Sequence, residues 1–288
     1  MFVEGSESVK RVAAGGSQGA TIAVVAGVLA ALVLAAVPAS ASLKIHESRR
    51  TKPTSAQFDA ITATCPKGEA PISGGYAVPK FSSLTGFFLP TGSFINENGW
   101  QASVSQLGDT PKDGFVTAFA YCSKLGKDLV TTGDTTSLGT GEFTDLTASC
   151  KRGQEIVSGG WAFSAGPGAS VSLLASVKQG NRSWRITGGM NTGTGTLIAL
   201  ADCVPKNKAP DLVTRKDAGK VTDDGSTVTS SCKKKEQAIS AGFTSNTDFQ
   251  PFEFHRGAKR TWGMRGQTFI GDGKATVLTY CEKTGKSR

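Results

Sequence analysis

The sequence is poor in the side chains that enzymes most often use for catalysis. Its 288 residues include only two histidines, His46 and His255. Beyond residue 41 it has no Cys-x-x-Cys, His-x-x-x-His or Gly-x-Ser-x-Gly motif, so neither a zinc site nor a nucleophile elbow is indicated. The acidic pair Asp223-Asp224 is followed by Gly and Ser, which is typical of a solvated turn. We therefore expect no enzyme activity, no metal and no cofactor.

Charged residues are scarce as well. They make up 19% of the chain, while 38% of the residues are hydrophobic. These proportions exclude a disordered polyelectrolyte, a coiled coil and a membrane protein with many spans, which are respectively less apolar, more charged and far more hydrophobic. Glycine is abundant, with 36 residues, and together with many Ser and Thr it favours short strands and tight turns over long helices. The composition therefore predicts an all-β protein.

One long apolar stretch lies near the N-terminus. Residues 20–37 are almost entirely apolar or small, follow the basic pair Lys10-Arg11, and precede Ala39-Ser40-Ala41. This order is typical of a signal peptide, here residues 1–41, and predicts export to the extracellular space or the cell envelope. The alternative is a membrane anchor at residues 20–37, because a stretch of this length approaches the ~20 residues that span a bilayer.

Beyond this segment the chain repeats itself three times, over residues 55–127, 140–206 and 222–285. Each copy has a first Cys, a basic turn, an Ile/Val-Ser-Gly/Ala-Gly-aromatic segment, one Trp and a second Cys. These elements are Cys65, Ile72–Tyr76, Trp100 and Cys122; Cys150, Val157–Trp161, Trp184 and Cys203; and Cys232, Ile239–Phe243, Trp262 and Cys281. Residues 42–54 lack this pattern, so we expect a flexible tether there. The segments between the copies are predicted to be linkers, and both contain Asp-Leu-Val-Thr.

Within each copy, apolar residues alternate with polar ones, which predicts five antiparallel strands. Gly75, Gly160 and Gly242 point away from the apolar face of the second strand, so we expect a close backbone approach or a bulge there. Pro251 predicts a sheet edge for its strand. The closing strand is apolar on both faces, which is typical of a central strand. The repeated Trp shares a face with apolar residues, and this favours the core over a sugar-stacking surface.

An even number of cysteines fits disulfide bonding in an oxidising compartment. Five alternating strands would bring the two cysteines of a copy to the same end of the unit, since the first and fifth strands run in the same direction. The predicted pairs are Cys65–Cys122, Cys150–Cys203 and Cys232–Cys281. Pairing across copies, for instance Cys122 with Cys150, is the alternative.

The pattern Ala/Ser-x-Cys-x-x-Gly, followed by Gly-Gly-aromatic and a terminal Ala-x-Cys, resembles repeat units of secreted actinobacterial proteins of unassigned function. The opening Cys65-Pro66-Lys67-Gly68 is also similar to the repeats of vitelline membrane outer layer proteins. That second resemblance implies a pseudo-three-fold β-prism and a relation to carbohydrate-binding lectins. We expect three homologous disulfide-linked antiparallel β units, arranged either in this β-prism-like way or as tandem small sandwiches.

Basic residues form the candidate binding surface. Lys67, Arg152 and Lys234 share one offset after the first Cys, and the third turn widens to Lys233-Lys234-Lys235. If the copies pack around an axis, these turns lie at one end and create a positive field. The polar face of the Trp strands adds Arg185 and Arg265.

These features predict a non-enzymatic exported protein that binds a cell-surface or extracellular polymer. An anionic wall polymer is preferred to a neutral glycan, and a membrane surface is a further candidate partner. Nucleic acid is not expected as a partner, because export separates the two. The alternative is a structural or protective envelope protein with no specific ligand, and a secreted hydrolase is disfavoured.

Overall fold

The structure is a computed structural model that describes residues 43–54, 58–78, 86–108, 114–166, 168–246, 249–268 and 271–284. The predicted signal peptide, residues 1–41, and the alternative anchor, residues 20–37, lie outside these ranges. The described residues form eighteen β-strands and one short 3-10 helix, Lys124–Asp128. Within those ranges, no helix has the length and apolar character needed to cross a bilayer.

Each copy contributes five strands, and the segment before it adds another, so that the two together form a six-stranded unit. In the first unit they are β1 (His46–Pro53), β2 (Phe58–Thr64), β3 (Ala70–Ala77), β4 (Gly86–Asn96), β5 (Gly99–Gly108) and β6 (Phe115–Ser123). In the second unit they are β7 (Val130–Leu138), β8 (Phe143–Ser149), β9 (Gln154–Ala165), β10 (Ser170–Gln179), β11 (Ser183–Thr192) and β12 (Gly195–Pro205). In the third unit they are β13 (Leu212–Val221), β14 (Ser226–Ser231), β15 (Glu236–Ser245), β16 (Phe249–Ala258), β17 (Thr261–Thr268) and β18 (Gly273–Lys283).

The strands form three antiparallel six-stranded sheets that share one plan. Sheet I has the order β1-β6-β3-β16-β17-β14, sheet II β7-β12-β9-β4-β5-β2, and sheet III β13-β18-β15-β10-β11-β8. Each sheet therefore joins the first, sixth and third strands of one unit to the fourth, fifth and second strands of another. This confirms the all-β architecture of three units. Because every sheet is shared, the alternative of tandem separate sandwiches is wrong.

Two units meet in each sheet along a short seam between a third and a fourth strand. The pairing there covers only two residue pairs, for example Glu253 with Ala77 and Phe254 with Tyr76 in sheet I. A Cβ on Gly75 would overlap the carbonyl oxygen of Phe254, and a Cβ on Gly160 or Gly242, at the same position of the other two units, would also overlap a backbone carbonyl oxygen. The predicted close approach is confirmed, and it occurs between units.

The glycine one residue earlier faces the core. A Cβ on Gly74 would overlap the ring of Trp100, and one on Gly159 would overlap the ring of Trp184. The third unit has Ala241 at this position. All three repeated Trp side chains are at most 2% exposed, which confirms that they belong to the core.

The predicted tether and linkers are strands. Residues 46–53, inside the predicted tether 42–54, pair with β6 over eight residues as β1, and the two linkers pair in the same way as β7 and β13. The prediction of a flexible tether is therefore wrong. These strands lie at sheet edges and are mostly exposed, so backbone pairing holds them and their sequences carry little apolar alternation.

Two further strand predictions have different outcomes. The closing strands β6, β12 and β18 each lie between two neighbours, as predicted for a central strand. Pro251, however, lies on β16, which is internal, so the predicted edge position is wrong. Proline is tolerated there because the pairing of β16 with β3 involves only Glu253 and Phe254, and a bulge separates Pro251 from Glu253 on the other side.

Three disulfides connect the sheets within each unit, and the predicted pairing inside each copy is confirmed. The bonds are Cys65–Cys122, Cys150–Cys203 and Cys232–Cys281, with Cα–Cα distances of 5.6, 5.6 and 5.7 Å. In each case one cysteine follows the second strand and the other lies on the sixth, which belongs to a different sheet. Disulfides of this kind persist in oxidising environments such as the extracellular space.

Candidate functional site

The three predicted basic turns lie at the same end of the molecule. Each turn leads directly into a third strand, and three buried residues near the start of those strands, Ile72, Val157 and Ile239, pack in one cluster. Side chains link the strand starts as well, since Ser73 Oγ donates to the carbonyl of Ile239 at 2.5 Å and Ser240 Oγ donates to that of Val157 at 2.5 Å. The three turns therefore surround one end of the fold, which we call the basic end.

The hairpins between fourth and fifth strands also lie at the basic end. The amides of Cys65, Cys150 and Cys232, which begin the basic turns, each donate to a hairpin carbonyl, over 2.9, 2.7 and 2.8 Å. The acceptors are Asn98, Arg182 and Arg260. Antiparallel alternation therefore adds the exposed Arg182, Lys259 and Arg260 to the same surface.

The connections between units complete this end. The 3-10 helix Lys124–Asp128 joins β6 to β7, and residues 206–211 join β12 to β13. An ion pair between Lys208 Nζ and Asp128 Oδ1, at 2.6 Å, links the two connections. Beneath them, Leu125, Leu129 and Leu212 pack on the cluster formed by the third strands.

Most of the net charge of the chain is on the basic end. Its turns, hairpins and connections hold thirteen basic side chains, all exposed, and five acidic ones, a net charge of +8 against +9 for the whole chain. The basic residues are Lys67, Lys124, Lys127, Lys151, Arg152, Arg182, Lys206, Lys208, Lys233, Lys234, Lys235, Lys259 and Arg260. The acidic residues are Glu69, Glu97, Asp128, Asp211 and Glu236.

The loops that the structure describes at the opposite end have the reverse sign. Its described loop residues include the four exposed carboxylates of Glu142, Asp223, Asp224 and Asp272, and no Lys or Arg. Among the described residues, the basic end and the loops of the opposite end thus carry net charges of opposite sign. A surface of one sign on a fixed framework produces a directed field, which attracts ligands of opposite charge.

The third turn is the most strongly basic, and its carboxylate is compensated within the fold. Glu236 accepts from the amide of Lys233 at 2.8 Å and forms an ion pair with Arg215 of β13. The hydrogen bond from Arg215 is the main reason that the pKa of Glu236 is lowered. The three exposed lysines of this turn therefore face solvent without an unpaired acidic neighbour on the turn itself.

The two predicted arginines of the Trp strands do not join this surface. Arg185 lies on β11 in sheet III and pairs with Asp145 at 3.1 Å. Arg265 lies on β17 in sheet I, pairs with Glu253 at 3.6 Å, and has its guanidinium 5.5 Å from the ring centre of Phe252. Each arginine is paired with a carboxylate of its own sheet, and the two arginines lie on different sheets.

The two histidines occupy structural contacts. His46 Nδ1 lies 2.8 Å from a carboxylate oxygen of Glu69, and the His255 ring stacks on Phe119 at 4.4 Å. Cys232, Glu236 and Cys281 form the one cluster of possible metal ligands found among the described residues. Its two sulfur atoms are already joined in a disulfide.

Sequence reasoning found the turns and missed the rest of the basic end. The hairpin and connection residues carry no motif, but counting antiparallel strands would have placed them beside the turns. Comparisons with models of known protein families and with curated proteins give no match for this chain.

Proposed function

We propose that this chain is a non-enzymatic exported protein that binds an anionic polymer of the cell surface through the basic end. The observation that carries the proposal is the segregation of charge, with thirteen exposed basic side chains at one end and carboxylates at the other. Ten of the thirteen are lysines. Lysine is a flexible point charge, and therefore suits a repetitive anion better than a ligand of fixed planar geometry.

A polymer can use several turns at once. Each single contact with an exposed lysine contributes little, since surface ion pairs stabilise by only ~0–1 kcal/mol. Once the first contact has formed, however, the next is intramolecular, so repeated weak contacts combine into useful retention. Because these charges are exposed, salt screens them, and binding should weaken as ionic strength rises.

Retention on purified bacterial cell wall under a salt gradient tests the proposal. The variant Lys233/Lys234/Lys235→Ala should elute at clearly lower salt than the wild type. The matched control Lys216/Lys220/Lys274→Ala removes the same charge from exposed strand positions of the same unit and should elute close to the wild type. Equal retention of the turn variant and the wild type would contradict the proposed site. Equal shifts in the elution salt of both variants would mean that retention depends on the net charge of the protein rather than on the third turn.

The chemistry of the retained polymer is tested by changing the support. Walls from which the anionic polymers have been extracted should lose retention, and an insoluble neutral glycan should retain little. Vesicles of anionic lipid provide the third support. Preferential retention on the glycan or on the vesicles would redirect the proposal to that partner.

A structural or protective role is the second candidate. The three disulfides join different sheets. The first and second strands of each unit also meet at the junctions between sheets. Both features favour a rigid and protease-resistant fold. If all supports fail to retain the protein at low salt while the folded chain resists proteases, this role is favoured over polymer binding.

A further inference from the structure

An open cavity of about 280 Å³ lies where the second and third units meet. The beginning of β9, the end of β10 with its hairpin, and the segment 206–212 enclose it. Its polar lining consists of Glu155, Lys178, Asn181, Lys206 and Asp211. Apolar atoms from residues 209–212 complete the wall.

A longer connection accounts for this cavity. Six residues separate Cys122 from Leu129 after the first unit, whereas eight separate Cys203 from Leu212 after the second. The shorter connection runs tight against the first unit, where a Cβ on Gly126 would overlap the carbonyl oxygen of Ala70. Ala70 stands at the position that Glu155 occupies in the second unit, so this place carries a carboxylate only beside the longer connection.

The charges around the cavity do not neutralise one another by contact. Two are positive, on Lys178 and Lys206, and two are negative, on Glu155 and Asp211. Among the described residues, none of these four side chains forms an ion pair within 4.0 Å or a side-chain hydrogen bond. Groups of both signs are thus held around a shared space without closing on each other.

Lys178 is the best-positioned of the four. It lies on β10 and is half-buried, and its amide donates to the hydroxyl of Tyr280 at 2.8 Å, which fixes the backbone there. Burial lowers the pKa of its ammonium, while the nearby carboxylates of Glu155 and Asp211 act in the opposite direction. A partly desolvated cation without a contact partner gains from a bound carboxylate.

We propose that this cavity binds a small zwitterion of amino-acid to dipeptide size. The carboxylate of the ligand contacts Lys178 and Lys206, and its ammonium contacts Glu155 and Asp211. A ligand with a single charge would leave one of the two like-charged pairs without a partner. The size follows from the volume, which equals that of about nine water molecules at ~30 Å³ each. The cavity shares Lys206 and Asp211 with the basic end, but this proposal does not depend on polymer binding.

The site is tested by titrating the full-length folded protein with alanine and with alanyl-alanine. Calorimetry and amide shifts in NMR spectra measure the binding. Propionate and ethylamine are the matched probes, since each keeps one of the two charges. The zwitterions should bind, and each single-charge probe should bind more weakly by about tenfold or more, because one set of charge-assisted hydrogen bonds is lost.

Variants locate the binding. Lys178→Met keeps about the length of the side chain and removes its positive charge. Glu155→Gln keeps the shape of the side chain and removes its negative charge. Each should weaken alanyl-alanine binding by about tenfold or more. Lys151→Met and Glu97→Gln, at exposed positions outside the cavity lining, are the controls and should bind like the wild type. If Lys178→Met does not fold, Asp211→Asn on the exposed connection replaces it.

Three results would overturn the proposal. Propionate that binds as tightly as alanine would make the cavity an anion site. An absence of amide shifts around residues 155, 178 and 206–212 at saturating alanyl-alanine would mean that the cavity is not a site. Binding that is unchanged in all the cavity variants would place the ligand elsewhere.

Discussion

Gly75 lies at the seam between the first and third units, and its lack of a side chain decides whether the two strands can meet. The carbonyl oxygen of Phe254 and the Cα of His255 occupy the space that a Cβ would need. These are backbone atoms, which cannot turn aside as the end of a flexible side chain can. The repeated second glycine of the Gly-Gly-aromatic segment is thus a requirement of assembly between units.

We expect Gly75→Ala to destabilise the protein by about 1–3 kcal/mol, the cost typical of overpacking a close contact. Gly263→Ala is the matched control, because the nearest atom to its Cβ would be Thr229 Cγ2 at an ordinary 3.7 Å. That variant should remain within about 1 kcal/mol of the wild type. Urea denaturation measures both, and equal midpoints for the two variants would contradict the role of the seam.

Asp202 breaks the repeat at another buried position. The first and third units have Tyr121 and Tyr280 there, and their hydroxyls accept from the amides of Arg256 and Lys178 at 2.7 and 2.8 Å. Asp202 is 1% exposed and accepts from the hydroxyls of Ser158 and Thr131, both at 2.8 Å. Burial raises the pKa of this carboxyl, and the two hydrogen bonds only partly oppose that effect.

Stability should therefore depend on pH through Asp202. An Asp in the unfolded chain titrates near pH ~3.9. Above that pH, and up to the raised pKa, the folded protein retains a proton that the unfolded chain has released, so the free energy of unfolding falls as pH rises. Asp202→Asn has no such dependence, and its stability relative to the wild type should increase through this window.

Urea denaturation of the wild type and Asp202→Asn at a series of pH values above ~4 measures this difference. Asp217→Asn, at an exposed position of β13, is the control and should run parallel to the wild type. A constant gap between the Asp202→Asn and wild-type curves would contradict the assignment to Asp202.

At the scale of the element, sequence patterns predicted the strands with a buried face and missed those without one. Alternation identified β2 and β8 because their buried residues lie at every second position. The edge strand β1 has eight residues with seven exposed, so no apolar period marks it. Its position depends on the exposed backbone edge of β6, and that edge is a property of the assembled sheet rather than of residues 46–53.

Removing β1 should therefore be costly. A chain of residues 54–288 loses the eight-residue pairing with β6 and the 2.5 Å ion pair from Lys52 to Asp59. At about 1 kcal/mol net for each hydrogen bond lost, we expect a destabilisation of several kcal/mol. The uncovered edge of β6 should also promote association.

Thermal unfolding and light scattering of this chain, compared with residues 42–288, check the prediction. The longer chain retains β1 and should be monomeric, with a higher midpoint. If both chains unfold at the same temperature and neither associates, residues 46–53 contribute nothing and β1 is dispensable.

At the scale of the whole molecule, the repeat predicted three units and their disulfides but left open how the units combine. Each unit looks self-sufficient in sequence, with its own strands, Trp and cysteine pair. The strand pairing that joins units involves only two residue pairs per sheet, with a glycine beside them, which is too small a signal to separate shared sheets from tandem sandwiches. The basic end was predicted only in part, because its hairpin and connection residues carry no motif and only the count of antiparallel strands places them beside the turns.

Shared sheets have a thermodynamic consequence that tandem units would not have. Each unit divides its six strands between two sheets, and another unit completes each of those sheets. Unfolding one unit therefore removes half of two sheets and exposes the core of both neighbours. We expect calorimetry to show one transition, with calorimetric and van't Hoff enthalpies that agree.

Leu173→Ala makes this test specific. Leu173 is 1% exposed on β10, a strand of the second unit in a sheet shared with the third, and its truncation should cost about 2–5 kcal/mol. In a cooperative molecule the whole transition moves to lower temperature and stays single. If the peak instead splits, so that only part of the heat absorption moves to lower temperature, the units unfold separately. The close backbone contacts at the seams would then not couple the units.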